Sequence, residues 1–382
     1  MNNLSKKSIA IIRALDLRIV QAEHATHFRK FKSFFVSNEN EEIENFLEKK
    51  NATCVKLKLA HSYLFDPVRL LFGGTSHQSW LIFDNRSLEN TLRPIDFYQI
   101  QEPFFPYSGQ IAGMAEKFNK PLIMAPWMCF NHASTYIPPY SLSVKKAIDQ
   151  TDLYIMRTKR VNNYLSRFKI PDRKKVLIYH GVNLKRFFPI EKKDDGKIKI
   201  LFVGILDSSK GLDDILDIFP KLIKETKKRV ELVICGKGNL EGKVRDMAKT
   251  LPINYLGQVS NLTLPSIYRN ADIFCGPSKN KYFLGIMIWE ENFGFVFVEA
   301  MACGLPIVAN DCGAIKEVVG EDNYVNEQGN KEALLKSLLE LINDKNIRRK
   351  IGIRNRKRAE SYFDMEKQII EEEKEISKRF IE

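Results

Sequence analysis

The chain has 382 residues, 44% hydrophobic and 28% charged, a composition of ordinary globular type with room for two or three cores. No apolar run reaches the roughly 18–20 residues that a membrane-spanning helix needs, and the opening residues lack the apolar core of a signal peptide. A disordered, fibrous or membrane-spanning protein is excluded, and the expectation is a cytoplasmic one, soluble or peripheral on the inner face of a membrane.

In the first half, short apolar runs at 9–12, 34–36, 54–59, 97–100, 122–125, 153–156 and 176–178 predict strands, with helix-like segments between several of them. In the second half the strands fall at 200–203, 231–235, 254–256, 273–275 and 307–309. This alternation predicts parallel sheets with crossover helices. The charged, Gly-containing stretch KKDDGKIK at 192–199 separates the two series and reads as a linker. The simplest architecture is two doubly wound Rossmann-like domains facing each other across a cleft, with ligands at the carboxyl ends of the strands. We place the first domain at 1–193, the second at 194–353 and a charged amphipathic helical tail at 354–382.

The formal net charge of +13 divides unevenly at that linker. Residues 1–193 carry 30 Lys and Arg against 17 Asp and Glu, whereas residues 194–382 carry 30 of each. Twelve basic residues crowd into 157–193 among Tyr164, Phe168, Phe187 and Phe188. A solvated face is one reading; a surface for anionic lipid or a phosphate-bearing acceptor is the other. Nucleic acid is not expected, because no binding motif accompanies the charge.

Cys54, Cys129, Cys235, Cys275, Cys303 and Cys312 show no paired spacing and read as free thiols. His24 and His27 stand three apart without further Cys or His nearby, and no D-x-D pair appears, so no metal is expected.

The densest chemical signal is at 289–310, WEENFGFVFVEAMACGLPIVAN. Glu291 and Glu299 lie eight positions apart in an otherwise apolar run, and ionised carboxylates are rarely buried without a partner. Phe293-Gly294 allows a tight turn ahead of a helix whose free N–H groups attract an anion such as a phosphate. Gly304-Leu305-Pro306 stops the helix before the next strand.

This stretch resembles the donor-site signature of the family 4 retaining glycosyltransferases of the GT-B fold, also called glycosyl transferases group 1. Similarity runs through most of the second half. LFVGILDSSKGLDDIL from Leu201 resembles the family's Gly-Arg-Leu and Lys-Gly loop, with Ile205 where the family has arginine; LVICGKGNL, YLGQVS, YRNADIFCGPS and DCGAIKEVVG follow in order. In the first half IQEPFF and IYHGVNLKRFFP fit the family's N-terminal domain, while the Gly-Gly loop after the first strand is missing.

The resemblance implies a metal-independent enzyme without a cofactor. It would move a sugar from a nucleoside-diphosphate sugar to a hydroxyl of a glycan acceptor, of lipid-linked or cell-envelope type. It further implies catalytic roles for Glu291 and Lys210, and donor contacts from Gly204, Gly236, Gly238, Val259, Asn292, Phe293, Gly294, Phe295, Val296 and Glu299. Glu291 would hold sugar hydroxyls and Glu299 the ribose. On the acceptor side it points to Glu102, Trp127, Asn131 and His132, and it returns the C-terminal helix to the N-terminal domain. Two other readings stay open. A non-catalytic sugar-nucleotide-binding protein would keep the fold, and Ile205 hints at it. A Rossmann oxidoreductase needs a G-x-G-x-x-G opening the first crossover helix, which residues 203–211 do not supply.

Overall fold

Most strands are short runs of β-branched, aliphatic and aromatic residues, many buried on both faces, which is what a parallel sheet covered by helices requires. The structure is a computed structural model that describes residues 6–13, 17, 19–37, 41–61, 81–131, 135–192 and 196–382. It contains two compact units. Unit 1 comprises 1–181, 283–288 and 366–382; unit 2 comprises 182–282 and 289–365.

Unit 1 contains β1 (Lys7–Ile12), β2 (Phe31–Ser37), β3 (Thr53–Lys56), β4 (Leu59–His61), β5 (Leu81–Phe83), β6 (Phe97–Ile100), β7 (Leu122–Met124), β8 (Leu153–Met156) and β9 (Lys175–Leu177). Seven of these form a parallel sheet in the order β3-β2-β1-β6-β7-β8-β9. The strand expected at 54–59 is divided. Leu57 N–H still donates to Ser37 O at 3.2 Å, but the chain then leaves the sheet and β4 pairs antiparallel with β5.

Unit 2 contains β10 (Lys197–Val203), β11 (Arg229–Cys235), β12 (Ile253–Gly257), β13 (Ile273–Gly276), β16 (Ile307–Asn310) and β17 (Tyr324–Asn326), ordered β12-β11-β10-β13-β16-β17, again parallel. Its core joins Ile200, Phe202, Leu232 and Ile234 of the sheet to Leu216 and Phe219 of the helix Leu212–Glu225 and Leu338 and Leu341 of the helix Lys331–Asn343. Between β13 and β16 a hairpin of β14 (Lys281–Phe283) and β15 (Ile286–Trp289) turns at Leu284-Gly285, both at positive φ (48° and 77°).

The division into units falls after Gly181, ahead of the linker expected at 192–199, of which 193–195 lie outside the described residues. Backbone pairing accounts for the difference. Val182 N–H donates to Phe363 O at 2.7 Å, Val182 O accepts from Met365 N–H at 3.2 Å, and Arg186 donates to Asn261 O at 2.8 Å, which ties 182–187 into unit 2. The tail expected as one helical segment from 354 is two helices, Lys345–Tyr362 and Met365–Phe380, broken at Phe363-Asp364. Only the second packs in unit 1.

That packing is ionic as well as apolar. Ile369, Glu372, Glu373 and Ile376 share one face of the helix Met365–Phe380 at helical spacing, and all four are buried. Glu372 accepts from both Arg157 guanidinium nitrogens (2.9 and 3.1 Å) and lies 2.9 Å from His24 Nε2. Glu373 accepts from the amides of Arg29 and Lys30, each at 2.6 Å.

Candidate active site

The order of the unit 2 sheet sets the site. β10 and β13 are neighbours although β11 and β12 separate them in sequence, so the chain leaves their carboxyl ends in opposite directions, and such a switch point opens a crevice. After β10 the chain is sewn to the turn that follows β11. Gly204 N–H donates to Cys235 O at 3.0 Å and Leu206 N–H to Lys237 O at 2.9 Å. Gly236 has φ 136°, and a Cβ there would lie 1.8 Å from the Gly204 carbonyl oxygen, so a side chain would force the two loops apart. Ile205 points outward and is 53% exposed.

Asp207 then caps the turn Ser208–Lys210. Its Oδ1 accepts from Lys210 N–H (3.1 Å) and Ser209 Oγ (2.7 Å), and its Oδ2 from Lys281 Nζ (3.0 Å). So held, Lys210 places its Nζ 2.6 Å from Glu291 Oε2 and 4.4 Å from the centroid of the Trp289 ring. Glu291 is fixed through its backbone, its carbonyl accepting from Ala314 N–H at 2.8 Å. Gly313, at φ 57°, passes so close that a Cβ would lie 2.0 Å from that oxygen. The ion pair is partly covered, with 23% of the lysine side chain and 13% of the glutamate exposed.

Gly294 (φ 74°) opens the helix Phe295–Ala302, with Phe293 buried and packed edge-on against Phe295 and Phe363. Glu299 is buried in this helix. Burial, then the Glu299 charge, holds the Tyr268 hydroxyl well above its ordinary pKa. Of the positions singled out in the sequence, Gly204, Lys210, Gly236, Gly238, Glu291, Asn292, Phe293, Gly294, Phe295, Val296 and Glu299 all belong to unit 2, and Val259 lies half-buried in the loop after β12. The resemblance implies a catalytic role for each of Lys210 and Glu291; the structure pairs the two directly.

The acceptor-side positions fall in unit 1. Glu102 follows β6, and its Oε1 accepts from the amides of Trp127 (2.8 Å) and Met128 (3.1 Å), so Glu102 and Trp127 are brought together. Asn131 is exposed, and His132 lies outside the described residues. Arg157, counted in the sequence with the basic stretch, is 3% exposed and paired with Glu372, so its charge is internal. The cluster of His24, Arg157, His180 and Glu372 was not foreseen, since its members come from four distant segments.

Burial pushes the Glu102 carboxyl up to about 8, against the Trp127 and Met128 amides and Arg13, which favour its ionised form. The folded protein therefore holds a proton that the unfolded chain, at 4.5, releases. This stabilisation is full below pH 4.5 and is lost as pH rises toward 8, at up to about 1.4 kcal/mol per unit. Thermal melts between pH 5 and 8.5 should show Glu102→Gln gaining stability over the parent as pH rises. A constant difference would place the proton elsewhere.

Residues 184–358 match the family described as glycosyl transferases group 1. That stretch of the chain is similar to the group 1 glycosyltransferases. It is 35% identical over 154 residues to a phosphatidyl-myo-inositol mannosyltransferase of Mycobacterium leprae, covering 39% of this chain and 38% of that protein. To an uncharacterized glycosyltransferase of Haemophilus influenzae it is 34% identical over 184 residues, 46% of this chain and 48% of the other. The matches span less than half the length of these two curated relatives. The fold extends further. Anabaena Alr3699/HepE, solved in complex with UDP and glucose, superposes with a TM-score of 0.75 at 14% identity, covering 97% of this chain and 100% of that one. A glycosyltransferase from Rickettsia africae gives 0.75 at 15% identity over 99% of both chains. The chain therefore has the GT-B fold of two Rossmann-like units.

Proposed function

We propose that the chain is a retaining glycosyltransferase that moves a sugar from a nucleoside-diphosphate sugar to an acceptor hydroxyl, without a metal or cofactor. The observation that carries this reading is the Lys210–Glu291 pair, 2.6 Å apart and partly open to solvent at the switch point of the unit 2 sheet. A cation there suits a leaving diphosphate, and a carboxylate suits sugar hydroxyls. The bond from the anomeric carbon to the diphosphate oxygen breaks, and a bond to the acceptor oxygen forms on the same face. The acceptor's proton passes to the departing diphosphate, so the protein supplies no nucleophile. The exposed Ile205 leaves Lys210 as the main cation of this loop, and it is also the one feature that favours a non-catalytic sugar-nucleotide-binding protein. Release of nucleoside diphosphate from UDP-, GDP- or ADP-sugars in the presence of EDTA separates the two readings; no release with any donor, despite nucleotide binding, would favour the second.

The two glutamates divide the donor between them. Glu299→Ala should weaken nucleotide binding by about 1.5–3 kcal/mol, the scale of a lost hydrogen bond involving a charged group. Glu291→Gln should spare free nucleoside diphosphate and depress turnover of the full donor. Calorimetric titration with both ligands checks this, and equal weakening of both by Glu291→Gln would sink the division.

An acceptor on an anionic membrane surface is part of the same reading. Lys159, Arg167, Lys169 and Arg173 stand exposed in unit 1, whereas Lys174 and Lys175 are half-buried and bonded to Thr151 O and Asp172. Each exposed cation near an anionic leaflet contributes on the order of 1 kcal/mol, over a screening length of roughly 8 Å at physiological salt. Flotation with vesicles containing anionic lipid should show salt-sensitive binding that is lost when these four are neutralised together. Binding unaffected by lipid charge would reduce them to a solvated face.

A further inference from the structure

Unit 1 has a switch point of its own, between β1 and β6, and a cavity of about 20 Å³ lies there. Its lining includes His24, Gln99, Gln101, Trp127, Arg157 and Glu372. Gln99 is on β6, and Gln101 and Arg157 directly follow β6 and β8, so the cavity sits at the carboxyl edge of the sheet. All six residues are more than nine-tenths buried. The donor chemistry uses none of them.

The hydrogen bonds inside the cluster fix what its remaining atoms can do. Glu372 takes His24 Nε2, both Arg157 terminal nitrogens and, at 3.5 Å, Gln99 Nε2. His24 therefore carries its proton on Nε2 and turns an acceptor lone pair outward at Nδ1. Gln99, donating through its amide nitrogen, presents Oε1 as an acceptor. Among the described residues His24 Nδ1, Gln99 Oε1, Gln101 Oε1 and Arg157 Nε have no hydrogen-bond partner. Buried polar atoms left so cost about 1–3 kcal/mol each, so an occupant is expected. An anion is the wrong occupant, because the carbonyl oxygens and the imidazole lone pair repel it and Glu372 already neutralises Arg157. A cation meets the guanidinium. A hydroxyl fits, since it donates to an amide oxygen and accepts from Arg157 Nε–H, and the cavity exceeds the roughly 10–15 Å³ that one water-sized group needs.

We propose that this cavity is a hydroxyl pocket that receives one neutral hydroxyl of a polyol ligand bound at the carboxyl edge of unit 1. The inference rests on the reading above in taking that ligand to be the acceptor, and water fills the pocket otherwise. The test is titration of the full chain with glycerol and methyl glucoside, read from the ¹⁵N resonances of the His24 imidazole, with inorganic phosphate as the anionic control. Saturable shifts with the polyols and none with phosphate are expected. Gln101→Leu, which leaves the Arg157–Glu372 pair intact, should weaken polyol binding at least tenfold, while nucleoside diphosphate affinity, read at unit 2, stays unchanged. Polyols that leave the His24 resonances unmoved, a response to phosphate, or indifference to Gln101→Leu would each overturn the pocket and leave the donor reading standing. Failure of nucleoside diphosphate to bind would instead strike the donor reading.

Discussion

Lys210→Ala lowers turnover by about 100-fold or more, the scale of losing one preorganised donor to a developing negative charge. Two effects act together. The leaving diphosphate loses the cation that Asp207 aims at it, and Glu291 loses its partner at 2.6 Å and is left with 13% of its side chain exposed to water. Lys210→Arg, which keeps the charge but not the compact ammonium, falls between the two. Initial rates of nucleoside diphosphate release measure the effect, with melting curves to confirm that the variant is folded. A loss under tenfold would move the role to another cation near the loop.

Glu372→Ala costs about 3–5 kcal/mol, because it leaves the Arg157 guanidinium buried without its counter-charge. Burial alone would raise the Glu372 carboxyl, yet Arg157 and His24 outweigh it and hold it well below the carboxylate range. Its stabilisation is therefore present above the unfolded value of 4.5 and lost as pH falls below it. Burial holds His24 and His180 below 6.5, and they lose stability earlier in the same direction, as the unfolded imidazoles take up protons. Hydrogen exchange in the helix Met365–Phe380 reads the loss locally. The double replacement Glu372→Leu, Arg157→Met should recover most of it; if it does not, packing rather than charge holds the helix.

How far the sequence carried depends on how local each determinant is. β6 and β8 appear at the residues expected, because a run such as FYQI or LYIM between turn signals leaves little choice. Gly211, Gly236, Gly238 and Gly313 mark positions where a Cβ would strike a backbone oxygen, so the loops around Lys210 and Glu291 were legible as well. The hairpin of β14 and β15 was not, since a leucine at φ 48° gives none of the Asn-Gly signal of such turns. Nor was the role of Glu372, in a helix that reads EEEKEIS and suggests a charged surface. Only its spacing from Ile369 and Ile376 marks it as inward, and its partners stand 215 and 348 positions away.

The return of the helix Met365–Phe380 to unit 1 has a consequence for synthesis. Unit 1 cannot close until the chain beyond 365 has been made, and 184 residues, 182–365, lie between its two main pieces. At about 5–20 residues per second that interval is roughly 10–40 s, during which Arg157 waits on the nascent chain without Glu372. Unit 2, which ends at Met365, has its whole sequence in hand by then. The half that emerges first from the ribosome is thus the half that finishes folding last, and the nascent protein passes through a stage in which unit 2 is formed while unit 1 is still incomplete and open to chaperones.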